Sequence, residues 1–448
     1  MIFARIALGL LGLGIVVFVH ELGHFLGARL VGIDVEAFSI GWGKPILKKK
    51  IGKVEYRLGM FPLGGYCKMS GDQEFKEAYE NSASGIKPAN GTFYGASPLR
   101  RIVACVAGPL FNLVFAVLVL AVVYGIGFER PAAENRIILA SEYGTDEKYP
   151  ADAAGFKSGD RIIEVNGKKT GYHFEVQENI AINPGKQLDV VVDRDGRIIN
   201  LQVTPDLDKS TGAGRIGVYF WTDAVVAGVV PDSIAANAGL LPGDQIIRVN
   251  GKKTQHTIDY RDALSENTAV MAIDYVRDGI EHSAEIDIPQ DENAILGIVW
   301  PTVPYKSPSG LKGMAKGVAE SWKTFAVSLR GLGLLFKGID LTEAVSGPVR
   351  ITYMVGEVAT DGFQESVGTG LRSMANFLAV ISIALCIMNL LPLPILDGGL
   401  IIMFIIELIR RKPLHPKAIS VVQTVGIVII CALMIFAFMG DIRYFVHG

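Results

Sequence analysis

The sequence predicts a multi-pass α-helical membrane protein with four transmembrane helices, a membrane-associated β-hairpin or small sheet, and two outward-facing α+β modules. Three observations predict it. Four apolar runs each approach the roughly 20 residues needed to cross a hydrocarbon core. The segment between the second and third runs repeats itself, and the stretch between the first and second alternates like β-structure around a basic cluster. The chain of 448 residues is 50% hydrophobic with a formal charge of -2. That balance suits membrane spans joined by soluble parts and gives no basis for nucleic-acid binding.

The apolar runs are Ile6 to Leu30, Ile102 to Ile126, Leu371 to Leu396 and Ile419 to Met439. The first is too long for the apolar region of a secretory signal and lacks an obvious small-residue cleavage site, so it reads as retained. Lys44, Lys48, Lys49 and Lys50 follow it, Lys87, Arg100 and Arg101 precede the second, and Arg410, Arg411, Lys412 and Lys417 separate the last two. Basic residues gather on the cytoplasmic side. Both termini and the long middle segment are therefore expected outside, which in a bacterium means the periplasmic face of the inner membrane. The expected division is 1–127 for the first half of the membrane core, 128–214 and 215–302 for the two modules, and 303–448 for a membrane-proximal helix and the second half of the core. The cysteines, Cys67, Cys105, Cys386 and Cys431, leave the outward segment without any, which excludes a disulfide framework there.

Inside the first apolar run stands Val19-His20-Glu21-Leu22-Gly23-His24-Phe25. Ionisable groups at membrane depth cost about 2.5–3.5 kcal/mol or more unless paired or bound, so they mark a functional site by default. The i, i+4 spacing sets both imidazoles on one helix face with the carboxylate beside them. This is the pattern of zinc hydrolases, in which two neutral His nitrogens hold the metal and the Glu acts as general base on water.

The third run ends Ile387-Met388-Asn389-Leu390-Leu391-Pro392-Leu393-Pro394-Ile395-Leu396-Asp397-Gly398-Gly399. Two prolines stop a helix and free backbone carbonyls, and unwound backbone at membrane depth is tolerated only inside protein or beside a water-filled cavity. An Asp at such a break is a candidate third ligand. Depth agrees, because His20 lies roughly 21 Å into a span and Asp397 closes another of the same direction, both toward the cytoplasmic side.

Between the second and third runs, Ala154 to Thr170 recurs as Ala238 to Thr254, sharing Ala-Gly, Gly-Asp, Ile-Ile-x-Val and Asn-Gly-Lys-Lys-Thr at the same spacing. Each copy reads as a short helix, a turn, a strand and a tight Asn-Gly turn, with an alternating strand later that ends near Pro205 or Pro289. The pattern resembles the PDZ domain in its bacterial, circularly permuted form. The resemblance implies a groove that takes an extended peptide by strand addition, with a backbone loop for a peptide C-terminus. Ile216, Gly217 and Val218 in one copy, and Leu296, Gly297 and Ile298 after Ile295 in the other, loosely match that loop.

Nearly the whole chain then resembles the intramembrane site-2 proteases, in the RseP (regulator of sigma-E protease) branch. The match runs through His20-Glu21-x-x-His24, Phe38-Ser39-Ile40-Gly41-Trp42-Gly43-Lys44, Pro62 to Met69, Gly108-Pro109-x-x-Asn112, Ser346-Gly347-Pro348 and Asn389-x-x-Pro392-x-Pro394-x-Leu396-Asp397-Gly398. It implies one zinc ion held by His20, His24 and Asp397, with Glu21 activating water. The implied substrates are single-span membrane proteins, such as an anti-sigma factor already trimmed by another protease, and remnant signal peptides. Leu400 and Ala384 depart from the family pattern, and neither replaces a ligand.

Asn389, Pro392, Pro394, Asn112, Gly41 and Gly43 are candidate substrate contacts. An intramembrane Asn more often joins helices than binds ligands, and Asn389 beside the break leans to substrate. The hairpin expected from Ile46 to Met60 could hold an unwound substrate by strand addition, or lie as a basic surface on anionic lipid. A membrane-anchored peptide adaptor that does not cut would need no intact metal set. An ion pathway would want more ionisable residues in the second and fourth runs.

Overall fold

The computed structural model describes residues 2–81, 86, 89–143, 148–209, 211–264, 270–287, 296–334 and 347–447. Lys87, Pro289, Ile295 and Ser346 lie outside them. The chain divides into two compact units, Met1–Phe128 with Ser307–Gly448, and Glu129–Lys306.

Among the described residues of the first unit, four helices are long and apolar enough to cross a membrane: Ile2–Leu30, Pro98–Ile126, Val367–Asn389 and Pro416–His447. The first two pack on each other through small residues. A Cβ at Gly23 or Gly27 would run into Ala107 of the second helix, so glycine at both positions lets the backbones approach. The second and third helices share a core of Ala116, Leu120, Ala379, Ile383 and Ile387.

The third span stops at Asn389, earlier than expected. Pro392 and Pro394 supply no amide donors, Ile395 takes a positive φ of 80°, and a new helix, Asp397–Arg410, starts at once. Asp397 therefore opens a helix and does not end one, which suits a carboxylate beside free amides at a helix N-terminus. Gly398 and Gly399 lie against the carbonyls of Leu390, Leu391 and Leu393, where a Cβ has no room. In place of the single membrane-proximal helix expected, the described residues hold two, Gly310–Leu334 and Pro348–Glu365, packed on the second and first spans respectively.

The expected hairpin is longer than its sequence suggested. Strands Val35–Ile51 and Val54–Met69 are each bent, so that Val35–Ile40 is paired on one side with Gly65–Met69 and on the other with Glu55–Leu58. Gly41 and Gly43, both at positive φ, make the bend. Phe25, Ala28, Ile33, Val35, Phe38 and Val54 form the core between this sheet and the first helix.

The second unit holds two copies of one arrangement. Arg161–Val165, Lys168–Lys169, Leu188–Arg194 and Arg197–Val203 form a four-stranded sheet, and Gln245–Val249, Lys252–Lys253, Val270–Arg277 and Ile280–Asp287 form its twin in the same order. The repeated motif has clear work in both. Asn166 and Asn250, at φ 48° and 49°, start the tight turns, and each side-chain oxygen accepts from a backbone amide, of Asp189 and Ala272 respectively, at 2.9 Å. Asp160 and Asp244, both buried, each accept from an arginine, Arg194 or Arg277, at 2.7 Å.

The boundary expected between 214 and 215 falls inside the first core. Ile216 is buried there with Ile162 and Val176, and Val218 and Phe220 pack on it, whereas the second core begins at Ala224. Val303–Lys306, expected to belong with the membrane half, pairs instead with Glu129–Ala132 in the second unit.

Candidate metal centre

His20 and His24 sit one turn apart near the C-terminal end of the first span, and Asp397 reaches them from the helix that follows the proline break. The two Nε2 atoms are 3.1 Å apart, and each lies 3.4 Å from Asp397 Oδ2. Among the described residues this is the group of three whose ligand atoms all fall within 4.8 Å of one another. Zinc bonds of about 2.0–2.2 Å in tetrahedral geometry put ligand atoms roughly 3.3–3.6 Å apart, so the two 3.4 Å separations match the edges of a zinc tetrahedron and the 3.1 Å one is slightly shorter. Two nitrogens and one carboxylate oxygen are also a hydrolytic donor set, with a position left for water or substrate.

The second span frames the histidines. His24 Nδ1 lies 2.9 Å from the Ala104 carbonyl oxygen, which fixes the proton on Nδ1 and leaves Nε2 free for a metal. A Cβ at Gly108 would run into the His24 ring, and Pro109, inside the same helix, removes the amide partner of the Cys105 carbonyl. The Gly108-Pro109-x-x-Asn112 motif thus shapes the helix around the two imidazoles. Glu21 faces the sheet, where a Cβ at Gly65 would lie 3.2 Å from its Cγ.

A cavity opens on this cluster. Its walls include His20, Glu21, His24, the strand end from Tyr66 to Met69, and Asn389, Leu396, Asp397 and Leu400. Asn389, expected as a substrate contact, is on the wall. Pro392, Pro394, Gly41 and Gly43 are not: the prolines break the helix and the glycines bend the sheet. Asn112 is not on the wall either, being fully buried with its amide 3.4 Å from His20 Nδ1. Tyr66, Cys67, Lys68 and Met69 had no part in the expected site, because neighbourhood to His20 arises only from the fold of the sheet.

The two expected C-terminus loops are tied to their own domains. The Ile216 carbonyl accepts from Ala151 N at 2.9 Å and the Gly217 carbonyl from Ala140 N at 3.0 Å, with Val218 paired to Leu139. In the second copy the Leu296 carbonyl accepts from Ala235 N at 2.9 Å and Gly297 from Val230 N at 2.8 Å, with Ile298 paired to Val229. The two copies thus build the same loop.

A family model described as "Peptidase family M50" matches residues 8–433. The chain belongs to peptidase family M50, the site-2 proteases. Relatives named "Putative zinc metalloprotease" agree along most or all of their length. One from Treponema pallidum (strain Nichols) is 37% identical over 99% of this chain and 100% of its own. Others, from Neisseria meningitidis serogroup A and Borreliella burgdorferi, are each 32% identical, covering 96% and 94% of this chain and the same shares of their own. This M50 protein is a site-2-type zinc metalloprotease of the membrane, and its cofactor is zinc.

Proposed function

We propose that this M50 protease cuts membrane-embedded segments of single-span proteins, with His20, His24 and Asp397 holding zinc and Glu21 as the general base. The observation that carries the proposal is the convergence of three ligand atoms from two helices distant in sequence, beside a carboxylate that ligates nothing. Zinc, when bound, acidifies water and polarises a carbonyl. Glu21 takes the proton from the attacking water and returns it to the leaving amine. A helical peptide bond is shielded by its own hydrogen bonds, so the substrate must arrive unwound. The strand Gly65–Met69 uses one edge to pair with Val35–Ile40 and turns its other side to the cavity, which suits strand addition by an extended segment. The Asn389 amide on the wall can hydrogen-bond that segment's backbone.

In this reading the protein is of the regulator of sigma-E protease branch, set in a bacterial inner membrane with both termini and two PDZ domains outside. Its substrates are anti-sigma factors already trimmed outside the membrane, and remnant signal peptides. Peptide C-termini would dock at Ile216 to Val218 or Leu296 to Ile298. An impermeant thiol reagent on intact spheroplasts should label Lys168→Cys and not Lys412→Cys, and the reverse would invert the orientation. The deciding experiment pairs zinc analysis with cleavage of a transmembrane substrate by detergent-purified protein. Glu21→Gln should keep zinc and lose cleavage, and His20→Ala should lose both. Cleavage at the parent rate by the Glu21 variant would remove Glu21 as the base, and no cleavage by the zinc-loaded parent would leave only a peptide-binding adaptor.

A further inference from the structure

Each metal-facing imidazole presents its other nitrogen to the second span, and the two partners differ in kind. His24 Nδ1 meets a carbonyl oxygen, which can only accept. His20 Nδ1 meets the side-chain amide nitrogen of Asn112, 3.4 Å away, which can only donate. A neutral imidazole that offers the Nε2 lone pair to a metal carries its proton on Nδ1, so here a donor faces a donor. At the same place Asn112 Oδ1, fully buried, has no hydrogen-bond partner. The oxygen and nitrogen of an amide exchange places by a half-turn about the last side-chain bond, and their assignment follows from the hydrogen-bond network.

We infer that Asn112 is a positioning residue for the metal: its side-chain oxygen accepts the Nδ1 proton of His20 and so holds Nε2 toward zinc. The inference rests on the assignment of His20 as a ligand. Either amide orientation leaves one atom of Asn112 without a partner, so counting hydrogen bonds favours neither. The lone pair required at Nε2 decides between them. Asn112 is also anchored for the task, because its backbone carbonyl accepts from the hydroxyl of Ser382, buried on the third span, at 2.9 Å. The two histidines are then oriented by one helix, His24 through a main-chain oxygen and His20 through a side-chain oxygen, four residues after Gly108.

Zinc affinity of the full-length, detergent-purified protein, read by competition with a chelator, tests this. The parent should bind one zinc and His20→Ala should not; retention by His20→Ala would overturn the ligand assignment itself. With that established, Asn112→Leu should weaken zinc binding by about 10–100-fold, the usual effect of losing a partner that orients a ligand. Ser321→Ala, which removes a buried hydroxyl from Gly310–Leu334, a helix packed on the same span, without touching Asn112 or His20, should bind zinc as the parent does. Asn112→Asp has the same shape and can only accept, so it should hold zinc at least as tightly as the parent. Zinc binding by the Leu variant equal to the parent's overturns the inference. If the Leu variant does not fold, the Asp variant decides alone: failure to fold or to hold zinc means that Asn112 does not act as an acceptor.

Discussion

The guanidinium of Arg101, in the first turn of Pro98–Ile126, meets the carboxylate of Glu407, near the end of Asp397–Arg410, in two parallel hydrogen bonds of 3.1 and 2.6 Å. Both residues are buried, and the same guanidinium lies 4.6 Å from the ring centre of Phe404. The pair fastens the far end of the helix that begins with Asp397 to the helix that frames His24. Removing one partner of a buried pair strands the other charge, at a cost of about 3–5 kcal/mol. Glu407→Ala should therefore lower the thermal midpoint and weaken zinc binding together. Arg101→Met with Glu407→Leu should recover most of the stability. A Glu407→Ala protein as stable as the parent would show that the pair is not a fastening.

Gly108 gives a prediction of unusual sign. Alanine is the better helix former by about 1 kcal/mol, so propensity alone says that Gly108→Ala should stabilise the second span. The added Cβ would, however, run into the His24 ring. The expected outcome is loss of zinc affinity with no loss of helix content by circular dichroism. Parent-like zinc binding would mean that the ring has room to move aside.

Local patterns were the legible part of this chain. The His20 to His24 spacing needs only one helical turn, and the break before Asp397 is announced by Pro392 and Pro394, so the metal cluster could be read from residues alone. The repeat showed because Asp160, Asn166 and their counterparts Asp244 and Asn250 do the same local work in each copy. What stayed hidden depends on contacts distant in sequence. Gly41 and Gly43 look like strand ends and are bends, so local pattern shows no more than the hairpin from Ile46 to Met60, and nothing local brings Tyr66 to Met69 to the cavity that Glu21 lines. Gly310–Leu334 carries Lys312, Lys316 and Lys323, and Pro348–Glu365 carries Arg350, Glu357 and Asp361, which dilute their hydropathy. Their glycines, Gly317 against Leu120 and Gly356 against Arg5, are what let them pack closely. Asp397–Arg410 is hidden in the sequence because Gly398 and Gly399 look like a turn, whereas they are the close contacts of a first helical turn.

The two repeats meet at a titratable contact. His256 Nε2 lies 3.2 Å from the Tyr143 hydroxyl, which donates to Asp259 at 2.5 Å, while the Trp221 ring stacks edge-on to His256 at 4.4 Å under the guanidinium of Arg136. Burial pushes the His256 pKa below its ordinary 6.5, although Asp259 and Glu142 pull the other way. The unfolded chain then binds the proton more readily than the folded one. The contact's contribution is complete above about pH 6.5 and is lost as pH falls through the folded pKa. The difference in tryptophan emission between the parent and Trp221→Phe, followed from pH 8 to pH 5, should show a midpoint below 6.5. A midpoint at or above that value would mean that Asp259 outweighs burial.

The repeats themselves are proposed as a filter on substrate. Inserted in the sequence between the second and third spans, and proposed to face outward, the repeats would screen what enters. On that reading a substrate with a bulky outer domain is refused, and one trimmed to a stub passes, its new C-terminus held weakly by a PDZ loop. The structure offers a clean way to remove the module. Glu129–Ala132 pairs with Val303–Lys306 in antiparallel register, Ala132 opposite Val303, so a short Asn-Gly turn can join those two residues and close a hairpin. Cutting at Asp152 and Pro289 instead would leave Ile137, Leu139 and Ala151 without the rest of their core. The hairpin-closed protein should bind zinc, cut a trimmed substrate at the parent's rate, and newly cut the untrimmed one. If it binds zinc and cuts the stub but still refuses the full-length substrate, the repeats recruit or brace and do not screen.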